Sequence, residues 1–264
     1  MNNGRNQAIS NFVNACALKH ETSSQPFPES GPLARSKNLR LGQLKKQAEG
    51  HTASGSKPFV YAYIVRTADI ESGPGTDRFA QKGSAPNFQG GCITLCTCKH
   101  GMRASRKAED WRGNWIAGFT THRAGKNYLF YLMRVEGAFE SFRRLWESNV
   151  LSARARKAKS ASIDALGDLF RPLGKGNEFS ARSYEEPMNG HSHRCKGNWT
   201  AWHKDIEYQS RPGGHPALIV GDRRQSFLWT KPLIYFSKPP FRNHRRYHGV
   251  HSFFDDLREC RSTP

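Results

Sequence analysis

Short hydrophobic runs rich in aromatic and β-branched residues recur along the chain from Phe59 onwards. Runs of this length and composition are typical of buried β-strands. They predict strands over Phe59–Val65, Cys92–Cys98, Trp115–Phe119, Tyr128–Val135, Ala217–Val220, Ser226–Leu228 and Leu233–Phe236. In the second run, alternation puts the cysteines and Thr94 on one face, with Ile93 and Leu95 on the other.

Helical periodicity is confined to few stretches. Phe139–Glu147 has its apolar residues at the spacing of an amphipathic helix, and Phe253–Glu259 is a candidate terminal helix. The Gly- and Pro-bearing stretch Glu71–Gly91 is expected to be a long loop. Many short strands with two or three helices predict an α+β fold around a curved, mostly antiparallel, barrel-like sheet.

The two parts of the chain differ in composition. Residues 1–57 hold few large apolar side chains and predict a disordered basic leader, with a short helix around Lys37–Ala48. Residues 58–264 are expected to form one domain, because about 200 residues bury enough apolar surface to fold alone.

The charge of the chain is strongly positive. Lys and Arg number 41 against 22 acidic residues, a net charge of +19. This surplus favours a polyanionic partner such as nucleic acid, although part of it serves solubility alone. The basic run of residues 152–160 is either a solvated loop or an arm that contacts phosphates.

The expected compartment is the cytoplasm. No apolar run is long enough to span a membrane, and no secretory signal is visible at the N-terminus. The six cysteines do not form a disulfide framework in a chain of 264 residues, which favours reduced thiols.

The segment that begins at Ala85 carries a recognisable pattern. APNFQGGCITLCTCKHGMR is followed by DWRGNWIAGF, and later by YLFYLMRV, FESFRRLW, the Gly167-Asp168 pair, and Asp222 ahead of LIYFS. In this order the pieces resemble the nucleotide modification associated domain of the second type, found in phage and bacterial genomes. The resemblance spans roughly residues 58–240 and implies a link to modification of nucleic-acid bases, with matched positions at Cys98-Lys99 and Arg103.

Four residues are candidates for catalysis. Cys98 precedes Lys99, whose ammonium would lower the pKa of the thiol and favour a nucleophilic thiolate. The others, Asp168, His203 and Asp222, are candidates for acid–base or polar roles. His203 has Asp205 nearby in sequence, but residues two apart on a helix do not meet. A structural role is the alternative for each.

Five residues are candidates for binding nucleic acid. Lys99, Arg103 and Arg106 follow a strand end, where they could hold a phosphate or form a solvated basic loop. Trp199 and Trp202, in the polar segment GNWTAWHKD, could stack on a base or pack in the core. On a helix, Trp199, Trp202 and His203 would share a face.

Cysteines and histidines also raise the possibility of a metal site. Cys92, Cys96 and Cys98 have poor zinc spacing, although His100 and the segment His191-Ser192-His193-Arg194-Cys195 could supply further ligands. The favoured alternative is that the cysteines pack as small apolar residues, so no metal is predicted. Fingerprints for ATP, dinucleotide and zinc-deaminase chemistry are missing from the sequence, and no cofactor is indicated.

The sequence therefore predicts a component of nucleic-acid base or nucleotide modification, with a basic, aromatic-lined pocket. Two alternatives stay open: a non-catalytic reader of modified bases, and an accessory protein that binds nucleic acid without base preference. The expected partners are DNA or a nucleotide, together with other nucleotide-modification enzymes, and no membrane.

Overall fold

A computed structural model describes residues 24–50, 58–73, 76–121, 123, 125–188, 191, 193–195, 198–200, 202–207, 215–238 and 244–260. Its strands are β1 Phe59–Ile64, β2 Ala68–Gly73, β3 Thr76–Gln81, β4 Thr94–Leu95, β5 Trp115–Phe119, β6 Leu129–Phe139, β7 His193–Cys195, β8 Asn198–Thr200, β9 Leu218–Leu228, β10 Ile234–Phe236, β11 His244–His248 and β12 Leu257–Glu259. Its α-helices are α1 Gly31–Arg35, α2 Leu41–Glu49, α3 His100–Arg103, α4 Phe142–Glu147, α5 Ala153–Lys159, α6 His203–Glu207 and α7 Val250–Asp255.

One curled, six-stranded sheet dominates the fold, in the order β11-β1-β5-β6-β9-β4. Strands β1 and β5 run parallel, whereas the other neighbouring pairs are antiparallel. The predicted α+β class and the curved, mostly antiparallel sheet are confirmed. The described residues contain more helices than the predicted two or three, but each is short.

The sheet separates two apolar cores. Ile93 and Leu95 belong to the larger core, whereas Cys92 and Cys96 belong to the smaller one beneath α4 and α5. The sequence predicted this alternation, but Cys98, expected on the same face as Cys92 and Cys96, packs against the larger core instead. Regular strand pairing is shorter than predicted, however, because β4 covers Thr94–Leu95 alone.

Residues 24–50 differ from the expected leader. Helices α1 and α2 bury Leu33, Leu44 and Ala48 completely in the larger core. The Trp229 indole N–H also donates to the Leu39 carbonyl at 2.9 Å. This segment is therefore part of the folded unit, and the rest of the expected leader, residues 1–23 and 51–57, lies outside the described residues.

Three segments differ from the local prediction. The expected loop Glu71–Gly91 contains most of the β2–β3 hairpin, in which Ile70 and Phe79 face each other. The basic run 152–160 is neither loop nor arm but helix α5, capped by Ser152. Strand β6 continues through Phe139, so helix α4 begins three residues later than predicted.

The C-terminal region contains a strand that the sequence did not reveal. β11 pairs with β1 and forms an edge of the sheet. The two predicted strands at Ala217–Val220 and Ser226–Leu228 join into the irregular strand β9, and the predicted helix Phe253–Glu259 divides into α7 and β12. In the part of the chain that is described, none of the helices is both long and apolar enough to cross a bilayer.

Candidate functional site

A row of three residues across the sheet creates space for two tyrosine rings. Gly118 on β5 lies between Tyr63 of β1 and Tyr131 of β6. A Cβ atom at Gly118 would lie 2.2 Å from Tyr131 Cε1, so only glycine permits the rings to lean over β5. The Tyr131 hydroxyl donates to the Tyr63 hydroxyl at 2.8 Å. Burial raises the pKa of Tyr63, and the nearby Cys98 adds to the rise.

The turn after β4 brings Cys98 and its neighbours to these tyrosines. Lys99 has a left-handed backbone, with φ 59°, and directly precedes helix α3. Its ammonium lies 5.1 Å from the centre of the Tyr63 ring. Burial lowers the pKa of Lys99. Left-handed non-glycine residues are uncommon and are concentrated at functional sites, which makes this turn a candidate site.

Arg103 holds this turn in place from inside the protein. Its side chain is 0% exposed, and its Nε donates to the Cys98 carbonyl at 2.7 Å. Nη1 donates to the carbonyls of Pro216 and Ala217, each at 2.7 Å. Arg103 is thus a buried side chain that fixes the turn through hydrogen bonds and is not an exposed phosphate ligand. Only its Nη2 group stays without a hydrogen-bond partner among the described residues.

A histidine–aspartate pair adjoins the turn. His100 Nε2 lies 3.5 Å from Asp205 Oδ1, and both side chains are largely buried. Asp205 is on helix α6, more than a hundred residues away in sequence. The sequence had placed Asp205 beside His203, whereas the fold pairs it with His100. We call Cys98, His100, Arg103 and Asp205 the Cys98 cluster.

The Cys98 thiol is not activated in this state. Burial raises its pKa to about 11, and the negative charge of Asp205 acts in the same direction. Arg103 and Lys99 oppose the rise, Lys99 in the direction that the sequence predicted, but burial outweighs both. At neutral pH the group is therefore a thiol, and a nucleophilic role requires a base to remove its proton.

Asp168 lies in a separate buried network with Asn87, Thr94, Cys96 and Lys159, which we call the Asp168 network. Its carboxylate is 0% exposed and accepts from Thr94 Oγ1 at 2.8 and 3.0 Å and from the Cys96 thiol and amide. Lys159 Nζ donates to the backbone and side-chain oxygens of Asn87, each at 2.9 Å. Burial raises the pKa of Asp168, against the pull of the Lys159 charge.

Asp222 has only local hydrogen bonds among the described residues. Its Oδ1 accepts from the amides of Arg224 and Gln225, at 2.7 and 3.3 Å. These bonds stabilise the irregular part of β9 between Gly221 and Ser226, where the pairing with β6 shifts. No described hydrogen bond or ion pair joins Asp222 to the Cys98 cluster.

Trp202 and His203 line an open groove of about 570 Å³ with Phe179, Arg182, Tyr184, Glu186 and Glu207. The Trp202 ring is half-buried and lies 5.6 Å from the Phe170 ring, centre to centre. The expected helical face shared with Trp199 does not form, because Trp199 lies in β8 and α6 begins at His203. The side chain of Trp199 lies outside what the structure describes. We call this depression the Trp202 groove.

Arg106 belongs to the edge of the sheet rather than to the Cys98 cluster. Its Nε donates to the Tyr61 hydroxyl, and its guanidinium lies 4.3 Å from the centre of the Phe59 ring. Arg246 of β11 lies 5.1 Å from the same ring. Arg246 was not a candidate from the sequence, because its strand lacks an apolar run.

The possible metal site of cysteines and histidines can be assessed among the described residues alone. Within them, no group of three or more His, Cys, Asp or Glu side chains is arranged to hold an ion. Cys92 and Cys96 pack in the smaller core, as the alternative interpretation expected. The side chains of His193 and Cys195 lie outside the described part of the structure.

Together these features define an α+β protein with a partly buried thiol, a histidine–aspartate pair and an adjacent aromatic groove. The profile of the family described as nucleotide modification associated domain 2 matches residues 57–198. Because the match covers more than half of the chain, the protein belongs to this family. It includes Cys98, Lys99, Arg103, Arg106 and Asp168. Comparisons with curated proteins and with solved structures give no match.

Proposed function

We propose that the protein takes part in modifying a nucleotide or a nucleic-acid base, which it binds at the Trp202 groove and presents to the Cys98 cluster. The observation that carries the proposal is that helix α6 contributes residues both to the Trp202 groove and to the Cys98 cluster. Trp202 and His203, at its start, line the groove, whereas Asp205 turns inward to His100. One short helix therefore connects a stacking surface with an acid–base pair.

The groove has the composition that a base requires. An aromatic ring offers a stacking face worth about 1–3 kcal/mol per base, whatever the identity of the base. Arg182 and His203 supply donors at its border, and the half-buried Phe179 contributes a second ring. Glu186 and Glu207 line the same groove and would accept hydrogen bonds from exocyclic amino groups.

The Cys98 cluster supplies the raw material for acid–base chemistry. In the proposed role, His100 accepts the Cys98 proton and Asp205 stabilises the resulting imidazolium. Arg103 is a positioning residue, because its bond to the Cys98 carbonyl holds the turn. Asp168 is also a positioning residue, since it is bonded to the strand that ends ahead of Cys98.

The experiment is nucleoside mass spectrometry on DNA and RNA from cells with and without the protein, its genomic neighbours present in both. A nucleoside of altered mass is expected with the wild-type chain. Cys98→Ser and Asp205→Asn should reduce its yield at least tenfold. The matched control is Cys260→Ser, because Cys260 is a free, partly exposed thiol directly after β12. Equal yields from Cys98→Ser and Cys260→Ser would remove the Cys98 cluster from the proposal.

A non-catalytic reader is the second candidate, and the raised pKa of Cys98 favours it. A reader would leave nucleoside masses unchanged but would bind one modified base more tightly than the others. Trp202→Ala should then abolish that preference while Trp202→Phe, which keeps a ring, preserves most of it. Binding without base preference and with a steep salt dependence would indicate an accessory protein instead.

A further inference from the structure

The face of the sheet at strands β1 and β11 carries a row of cations on aromatic rings. Cross-strand pairs put Phe59 opposite His248 and Tyr61 opposite Arg246, so these side chains share one face. Arg106 and Arg246 both cover Phe59, and Lys99 covers Tyr63. We call Lys99, Arg106 and Arg246 the basic stripe.

The stripe has a direction. Phe59, Tyr61 and Tyr63 alternate along β1, so the stripe follows the strand for about 13 Å at roughly 3.3 Å per residue. It begins at the exposed Arg246 and ends at Lys99, the neighbour of Cys98 in sequence. A depression of about 810 Å³ borders it, lined by Arg106, Lys107, His215 and Arg246.

The charges of the stripe are not neutralised from within the described residues. Neither Arg106 nor Arg246 forms an ion pair there, although Glu109, Asp110 and Glu140 line the same depression. Arg66 adds a further positive charge near Lys99, whose pKa it lowers. Stacking on aromatic rings orients the guanidinium planes and leaves their N–H edges available to phosphate oxygens.

We propose that the basic stripe binds the phosphodiester backbone of a nucleic-acid strand and leads one of its nucleotides towards the Cys98 cluster. This inference rests on the proposed function and names its substrate class: a polynucleotide rather than a free nucleotide. A polyanionic partner complements the charge of the chain, which is +19. The length of the stripe corresponds to about four nucleotide steps of 3.4 Å.

The test is fluorescence anisotropy with a labelled single-stranded DNA 12-mer, its RNA counterpart and the DNA duplex, each titrated across salt concentrations. Single-strand affinity falls with salt by a slope of about 0.7 per phosphate contact. Arg106→Gln with Arg246→Gln should lower that slope by about 1.4, which is roughly 25-fold in affinity at 0.1 M salt. Arg246→Gln alone, at an exposed position, should lower it by about 0.7.

A control pair removes the same charge from elsewhere. Arg35 and Lys46 are exposed on α1 and α2. Tyr247 follows Arg246 on β11, so its side chain points to the opposite face of the sheet, where it packs on Phe253 of α7. Helix α7 contacts α2. The control residue Lys46, on α2, therefore lies behind the face that carries the stripe. Arg35→Gln with Lys46→Gln should leave the slope unchanged. An equal loss in both double variants would show a diffuse charge effect and overturn the inference.

Two further binding experiments distinguish a failure of this inference from a failure of the proposed function. Mononucleotide binding, measured by calorimetry, should survive Arg106→Gln with Arg246→Gln but be lost in Trp202→Ala. A wild-type protein that binds mononucleotides but no strand would overturn the stripe alone. Binding to vesicles with anionic headgroups, lost in the stripe variant and unmatched by any oligonucleotide, would assign the stripe to a membrane surface and overturn it also.

Discussion

Replacement of Lys159 by methionine tests whether the Asp168 network is a charged pair that the fold depends on. Methionine keeps most of the side-chain volume but removes the ammonium. The Asn87 oxygens keep donors in the Thr94 and Gln89 amides, so their loss is small. The main penalty falls on Asp168, whose buried carboxylate loses the positive charge that lowers its pKa. Among the described residues no ion pair joins Lys159 to Asp168 directly, so the expected loss is that of a hydrogen-bonded buried charge, about 1.5–3 kcal/mol.

The pH dependence provides the sharper part of the test. Burial raises the pKa of Asp168 above 3.8, so its contribution to stability is present below that pH and is lost as the pH rises through the raised pKa. Without Lys159 the pKa rises further, because the ammonium lowers it in the wild type. The deficit of the Lys159→Met variant should therefore be larger at pH 7 than at pH 4, because a larger fraction of its Asp168 carries a proton at the lower pH.

The measurement is urea unfolding of the wild type and variant at both pH values, with thermal unfolding alongside. A loss of about 1.5–3 kcal/mol at pH 7 corresponds to a fall in Tm of roughly 3–12 °C for a chain of this size. Lys157→Met is the matched control, since Lys157 is exposed on the same helix. A deficit below about 1 kcal/mol, or one equal at the two pH values, would refute the electrostatic effect of Lys159 on Asp168.

Two other predictions concern the candidate site. Gly118→Ala places a Cβ 2.2 Å from Tyr131 Cε1 and 2.7 Å from Val65 Cγ2, so it should destabilise the fold by about 1–3 kcal/mol in urea unfolding. An unchanged midpoint would contradict the position of the ring over β5. Asp205→Asn removes a negative charge that raises the pKa of Cys98, so the midpoint of its alkylation rate against pH should fall below about 11. Peptide mass spectrometry isolates Cys98 from the other thiols, and a midpoint that stays or rises would contradict the assigned direction.

The predicted strands succeeded where an apolar run was itself the signal. Phe59–Ile64 and Trp115–Phe119 lie at the centre of the sheet, where both faces are buried and the local pattern is continuous. β11 gave no such signal, because HRRYH contains no aliphatic residue. It is a strand through its pairing with β1, and that partner is far away in sequence.

The candidate site also contains residues that a local sequence motif identified and contacts that only the fold reveals. Cys98, Lys99 and Arg103 were identified from a motif that is contiguous in sequence, and they do lie together. The pairing of His100 with Asp205 was not visible, since it depends on how α6 packs against α3. Burial was equally hidden, which is why the expected low pKa of Cys98 is raised. The binding role of Trp202 and the acid–base or polar role of His203 stay predictions, and both residues line the Trp202 groove.

The single parallel pairing in the described sheet, between β1 and β5, has a consequence for how the protein can diverge. Because these strands run in the same direction, the connection over residues 65–114 leaves the end of β1 at Ile64 and re-enters at the opposite end of β5, at Trp115. This connection carries the β2–β3 hairpin, β4, α3 and the turn at Cys98. Its buried part cannot vary freely, because Ile93 and Leu95 pack in the larger core and Arg103 bonds to the carbonyls of Pro216 and Ala217. Divergence is therefore expected at exposed positions of the connection, such as Glu71 on the β2–β3 hairpin, while the turn at Cys98 stays tied to the core.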